Sequence, residues 1–164
     1  MKRVLIVIAA LAVIGCVIGG IALAQREGNT LQQEMRLLVT GKTIQDRFVD
    51  VAPKGDGPTL GDSFHFRDAL WNRALTERQG TIIGSCYVEL GAFDCKATMF
   101  LSQGKIMLAG AFLFKDQSDF RLAVVGGTRL YKDVVGDAHV VETEDSALYT
   151  VHLIPSFVNA DESS

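Results

Sequence analysis

From residue 61 to residue 154, short strand-like segments are cut at regular intervals by turn-forming residues, and this punctuation limits what the chain can become. The segments run over 63–70, 80–90, 93–102, 105–114, 119–125, 136–142 and 147–154. Gln103-Gly104, residues 116–118, Gly126-Gly127-Thr128 and residues 143–146 separate the later ones. Upstream, Met35, Leu37 and Val39 alternate with other residues, and Phe48, Val49 and Val51 continue the pattern after an interruption at Gly41-Lys42. The Pro- and Gly-rich stretch 52–61 reads as a loop. About eight strands at this spacing predict an all-β barrel or sandwich. Residues 69–79 read as one helical turn or as a polar loop. The segment 105–114 is apolar at both alternating sets of positions, whereas a strand with one wet face alternates cleanly. Both of its faces are therefore expected to be covered. A closed eight-stranded antiparallel barrel that self-associates, as a dimer or trimer, meets that condition and leaves room for one small ligand.

The pair Cys86 and Cys95 fixes one hairpin. A turn at Leu90-Gly91 places opposite one another residues whose numbers sum to 181, and these two cysteines do so. A disulfide between them is expected if the domain lies outside the cytoplasm. The N-terminus supports that location. Lys2-Arg3 precedes an apolar run at 4–24 that ends Ala22-Leu23-Ala24 before Gln25. The flanks fit a cleaved export signal, while the length suits a membrane anchor. Val13-Ile14-Gly15-Cys16 resembles a lipobox, but the apolar residues after it mark Cys16 as part of the membrane segment. The expected organisation is an export helix over 1–24, and a lead-in, first strand and loop over 25–60. The rest of the barrel occupies 61–156, with a disordered tail over 157–164. Without Lys2 and Arg3, 14 basic side chains face 19 acidic ones with no basic cluster, which excludes nucleic acid as a partner.

Several strands carry motifs in order. Phe66-x-Asp68-x-Leu70 is followed by Gly80, Gly84, Cys86 and Tyr87. Then come Phe100-x-x-x-Gly104-x-Ile106, and an apolar strand ending in Gly126-Gly127-Thr128, with Tyr131 and Gly136. This set resembles the allene-oxide-cyclase-barrel and dirigent-protein superfamily over residues 61–154. Arg129 stands where that family usually has glycine, Val135 where dirigent proteins have an arginine, and Arg67 where they have the first of two aspartates. Those departures argue against dirigent radical chemistry. The resemblance implies a barrel without cofactor whose lumen binds an apolar, polyketide- or oxylipin-like substrate and sets its folding for cyclisation, including 4+2 or polyether-type closures. A lipocalin-like carrier and a dirigent-like auxiliary protein are the rival functions, and export weighs against a biosynthetic enzyme.

Such a lumen needs isolated polar groups on apolar strands. Asp68 shares a face with Phe64 and Phe66, and it is the candidate base or orienting group, or else a strand-ending aspartate. Tyr87 is the candidate lumen donor and Glu89 lies on the same hairpin face, opposite Cys86. Phe66 and Arg121 complete the candidate binding set, although an exposed cross-strand ion pair is the commoner setting for an arginine placed like Arg121. His65, His139 and His152 have no ligand spacing, so no metal is expected. Nucleotide-loop and serine-hydrolase motifs are missing from the sequence.

Overall fold

The computed structural model describes residues 34–51 and 57–156. The expected export helix and anchor, the lead-in before residue 34, most of the Pro/Gly loop and the C-terminal tail lie outside the described residues. The described chain forms eight strands: β1 Met35–Val49, β2 Ser63–Asn72, β3 Arg78–Glu89, β4 Ala92–Leu101, β5 Gly104–Leu113, β6 Asp119–Gly127, β7 Val134–Glu142 and β8 Ala147–Pro155. Each pairs antiparallel with its sequence neighbour, and β8 returns to β1, so the sheet closes as a barrel. Every strand thus has a neighbour on both sides, although β5 and β6 pair only from Ile106 to Ala109. Among the described residues no helix is long and apolar enough to cross a membrane.

The first strand corrects one expectation. Gly41-Lys42 does not interrupt it: β1 runs through to Val49, pairing with β8 in its first half and with β2 over most of its length. Its register on β2 slips by one residue between Thr43 and Gln45, leaving Ile44 as the extra, exposed residue of a bulge. The bulge keeps Phe48 in phase with Phe64 across the wall. The 69–79 region is likewise a strand end, a tight turn and a strand start. Asn72 accepts hydrogen bonds from the Thr76 and Glu77 amides within that turn.

The β3–β4 hairpin has the register read from the cysteines. Cys86 pairs directly with Cys95 and the two are joined by a disulfide, with Cα atoms 4.0 Å apart. Gly91 takes φ +84° in the two-residue turn, a conformation that favours glycine.

Inward positions separate the barrel into two halves. Val39, Leu70, Met99, Ile106, Val151 and Leu153 are fully buried and fill one end. The Gly126-Gly127-Thr128 segment seals that end. A short 3-10 turn, Arg129–Tyr131, folds back over β5 and β6 and inserts the buried Tyr131. The Thr128 amide donates to the Lys105 carbonyl, and the Thr128 hydroxyl accepts from the Lys105 amide. A Cβ on Gly127 would collide with the Tyr131 carbonyl oxygen, and one on Gly104 with that of Thr128, so the turn can approach only glycines. Arg129 adopts φ +57°. The backbone there keeps the left-handed shape without the residue that takes it most easily.

The outward apolar residues of β5 and β6, including Met107, Leu113 and Val125, are exposed on the single chain.

Candidate functional site

The other half of the barrel, at the β1–β2, β3–β4, β5–β6 and β7–β8 connections, is open. It holds a cavity of about 310 Å³, within the usual range for small-molecule sites. Alternation along each strand decides its lining. Because Ile82 and Cys86 of β3 face in, so does every second residue of their partners. Six phenylalanines line the wall: Phe48, Phe64, Phe66, Phe93, Phe112 and Phe120. Phe112 and Phe120 stack with centroids 3.8 Å apart, and Phe64 stacks on Phe66 at 5.9 Å. Phe66 lies across Gly84, where an added Cβ would come within 2.6 Å of its Cε1. The disulfide also borders the cavity.

Polar groups converge on the β1–β2–β8 side. Asp68 is 6% exposed, with Thr43 beside it on β1 and Tyr149 of β8 close by. The Thr43 and Tyr149 hydroxyls donate to its carboxylate, while its Oδ1 is buried with no partner among the described residues. Burial raises the Asp68 carboxyl above its ordinary value; these two bonds oppose the shift and the charge of Asp46 adds to it. Tyr149 is 3% exposed, and burial drives its phenol well above the ordinary value, with Asp68 and Glu142 adding to the effect. Glu142, at the end of β7, faces the cavity mouth. Burial of its carboxyl and the nearby Asp68 push it up to about 7. The Glu142 residue as a whole is exposed, and solvent screens part of its coupling to Asp68.

Gly41 permits this packing. A Cβ there would lie 2.8 Å from Tyr149 Cε2 and 3.1 Å from Asp68 Oδ2. The residue that reads as a break in the sequence is thus where the Tyr149 ring and the Asp68 carboxylate pass β1.

The structure brings together two of the residues expected from sequence, Asp68 and Phe66, and corrects three. Tyr87 is half-exposed on the outer wall, edge-on to His65 at 6.2 Å. Its neighbour Cys86 faces the lumen, so strand alternation turns Tyr87 out. Glu89 is exposed beside the hairpin turn for the same reason. Arg121 sits outside, 64% exposed, paired with Asp137 on β7 at 2.5 Å. The histidines lie apart: His65 bonds Ser63, His139 bonds Asp119 and His152 bonds Glu34. Missed were Thr43, Glu142 and Tyr149. A signal for the last two existed. Tyr149 is the polar member of the alternating set Ala147, Tyr149, Val151, Leu153, and Glu142 ends the set Ala138, Val140, Glu142.

The closed eight-stranded sheet with its Gly-Gly-Thr seal is the fold of the allene-oxide-cyclase and dirigent-like barrels. A pyocyanin demethylase superposes with a TM-score of 0.63 at 24% identity, covering 73% of this chain and 99% of its own. An exo-specific intermolecular Diels–Alderase gives 0.61 at 18% identity, over 74% of this chain and 98% of its own. A pterocarpan synthase dirigent protein gives 0.61 at 15%, over 77% and 97%. No family model matches the chain, and no curated protein matches it.

Proposed function

We propose that the barrel binds a small unsaturated molecule among its phenylalanines and promotes its cyclisation or isomerisation, with Asp68 and Tyr149 as the acid–base pair. The observation that carries this reading is Asp68: a buried carboxylate with one unpartnered oxygen, facing an aromatic cavity. Leaving a buried oxygen unbonded costs about 1–3 kcal/mol or more, a cost that a ligand donor would relieve. Flat rings along the wall restrict the shapes a flexible substrate can take, and holding reacting ends together lowers the entropic part of the barrier. Asp68 can take a proton from an acidified position. Once Asp68 has taken that proton its call on the Tyr149 O–H weakens, and that O–H can turn to negative charge developing on the substrate. Glu142 at the mouth, with its raised pKa, can pass the proton between the cavity and solvent. The fold is shared with proteins described as a Diels–Alderase and as a pterocarpan synthase dirigent protein, which supports ring-forming chemistry as the class to test first. Self-association through the apolar outer face and a location outside the cytoplasm belong to the same proposal.

The test is incubation of the full-length protein with linear conjugated polyenes that end in an enolic 1,3-dicarbonyl, tracking loss of the polyene absorbance against buffer. Acceleration that Asp68→Asn reduces by about 100-fold supports the reading. Binding without acceleration in any member would leave a carrier.

A further inference from the structure

Taking that cavity as the ligand site, we infer that it selects flat unsaturated molecules whose polar end donates hydrogen bonds or bears a positive charge (a phenol, an enol or an ammonium) and that it rejects carboxylates. The inference rests on the proposed function and narrows its substrate class, and it excludes the free fatty-acid type of oxylipin that the family resemblance brings in. Four observations carry it.

The first is charge. Among the described residues lining the cavity, the ionisable groups are Asp68, Glu142 and Tyr149, with no lysine, arginine or histidine. Asp46 adds its charge toward Asp68 from β1. A ligand carboxylate would enter a site already holding carboxylates, with no cation among the described lining residues to offset it. Like charges brought together across a desolvated contact disfavour binding strongly. The second is donor and acceptor balance. The Thr43 and Tyr149 hydroxyls both donate to Asp68, while Asp68 Oδ1 stays buried and open; the side-chain amide among the described lining residues, Gln117, sits in the β5–β6 connection, away from the β1–β2–β8 side. Above its raised pKa Asp68 is ionised and only accepts, so the missing partner there is a donor on the ligand.

The third is the wall. Stacked phenylalanine faces receive flat π-systems, and they favour a cation over an anion because the ring face is negative. The fourth is size. About 310 Å³ equals the volume of roughly ten water molecules, which is room for a two- or three-ring ligand.

The test is calorimetric titration of the full-length protein at about pH 8, above the value of about 7 to which Glu142 is pushed, with four probes on one frame. These are 2-naphthol, 2-naphthylmethylammonium, 2-methylnaphthalene and 2-naphthoate. The expected result is that the naphthol and the ammonium bind at least about tenfold more tightly than the naphthoate, with methylnaphthalene between. Asp68→Asn should narrow that gap. Glu142→Gln, a change at the exposed rim, should narrow it for the ammonium and serves if the Asp68 variant does not fold. Naphthoate binding as tightly as the ammonium would overturn the selectivity and leave the cavity as a ligand site. If none of the four binds, both readings fall.

Discussion

Gly41→Ala is the sharpest perturbation of the proposed site, because it adds one methyl group where two functional side chains converge. The new Cβ would sit 2.8 Å from Tyr149 Cε2 and 3.1 Å from Asp68 Oδ2. Restoring ordinary contact at about 3.4 Å or more requires the tyrosine ring to retreat by about 0.6 Å and the carboxylate by about 0.3 Å, in a region packed at crystal-like density. Tyr149 is 3% exposed, so its ring cannot simply swing into solvent. Overpacking of this kind costs about 1–3 kcal/mol. Replacing glycine at an accessible backbone conformation returns about 0.4–1 kcal/mol through the unfolded chain. The net loss is therefore expected at about 0.5–2 kcal/mol, read as a shift in the urea midpoint at unchanged slope. The effect on function should be larger. Displacing an acid–base pair by a fraction of an ångström costs about 10- to 100-fold in turnover, with ligand affinity reduced less. A variant as stable as the parent and equally active would show that Gly41 does not set the Tyr149–Asp68 geometry.

Asp68→Asn should remove a pH dependence as well as activity. Burial raises the folded-state pKa of Asp68, so the native protein holds that proton to higher pH than the unfolded chain does. Its favourable contribution is complete below the ordinary carboxylate range and is lost as pH rises through the folded value. Relative to wild type, the variant should thus gain stability between about pH 4 and about pH 8, which chemical unfolding at those two values will read. Asp62 has the opposite sign. The Thr59 and Val51 amides donate to it and lower its pKa. Its contribution is present above the ordinary value and lost as pH falls through the lowered one. Asp62→Ala should lower the Tm at neutral pH and matter less in acid. Replacing Cys86 and Cys95 together by serine should cost about 2–3 kcal/mol, the cross-link closing a short loop, and calorimetry under oxidising conditions will show it. Phe66→Ala should cost about 3–5 kcal/mol if the ring is as well packed as a core phenylalanine, and less to the extent that the open cavity already leaves it unsupported; urea unfolding will read the difference.

The features legible in the sequence are those set by neighbours along the chain. The β3–β4 register came from two cysteines and a two-residue turn, and Phe66 and Asp68 shared a face because strands have a period of two. The rest depends on closure. Which face of the Cys86 hairpin is the lumen is decided only when β8 meets β1, and that choice put Tyr87 and Glu89 outside. Tyr149 reaches Asp68 from about 80 residues away in sequence by the same closure, a non-local pairing that turn chemistry cannot reveal. Gly41 reads as a strand break by propensity. Its purpose shows only in the side chains that pass it. Arg121 could be read as a lumen cation or as the commoner exposed ion pair, and its contact with Asp137 on the neighbouring strand decides for the second.

Whether ligand enters the lumen against Asp68 can be read by methyl NMR of the full-length protein titrated with 2-naphthol. Ile82, Leu122 and Val140 line the cavity, whereas Ile83, Met107 and Val125 point outward. The lumen methyls should shift together and saturably, and the shifts should weaken in Asp68→Asn, while the outer set stays in place. Saturable shifts confined to the outer methyls would place the ligand on the barrel surface and refute entry into the lumen.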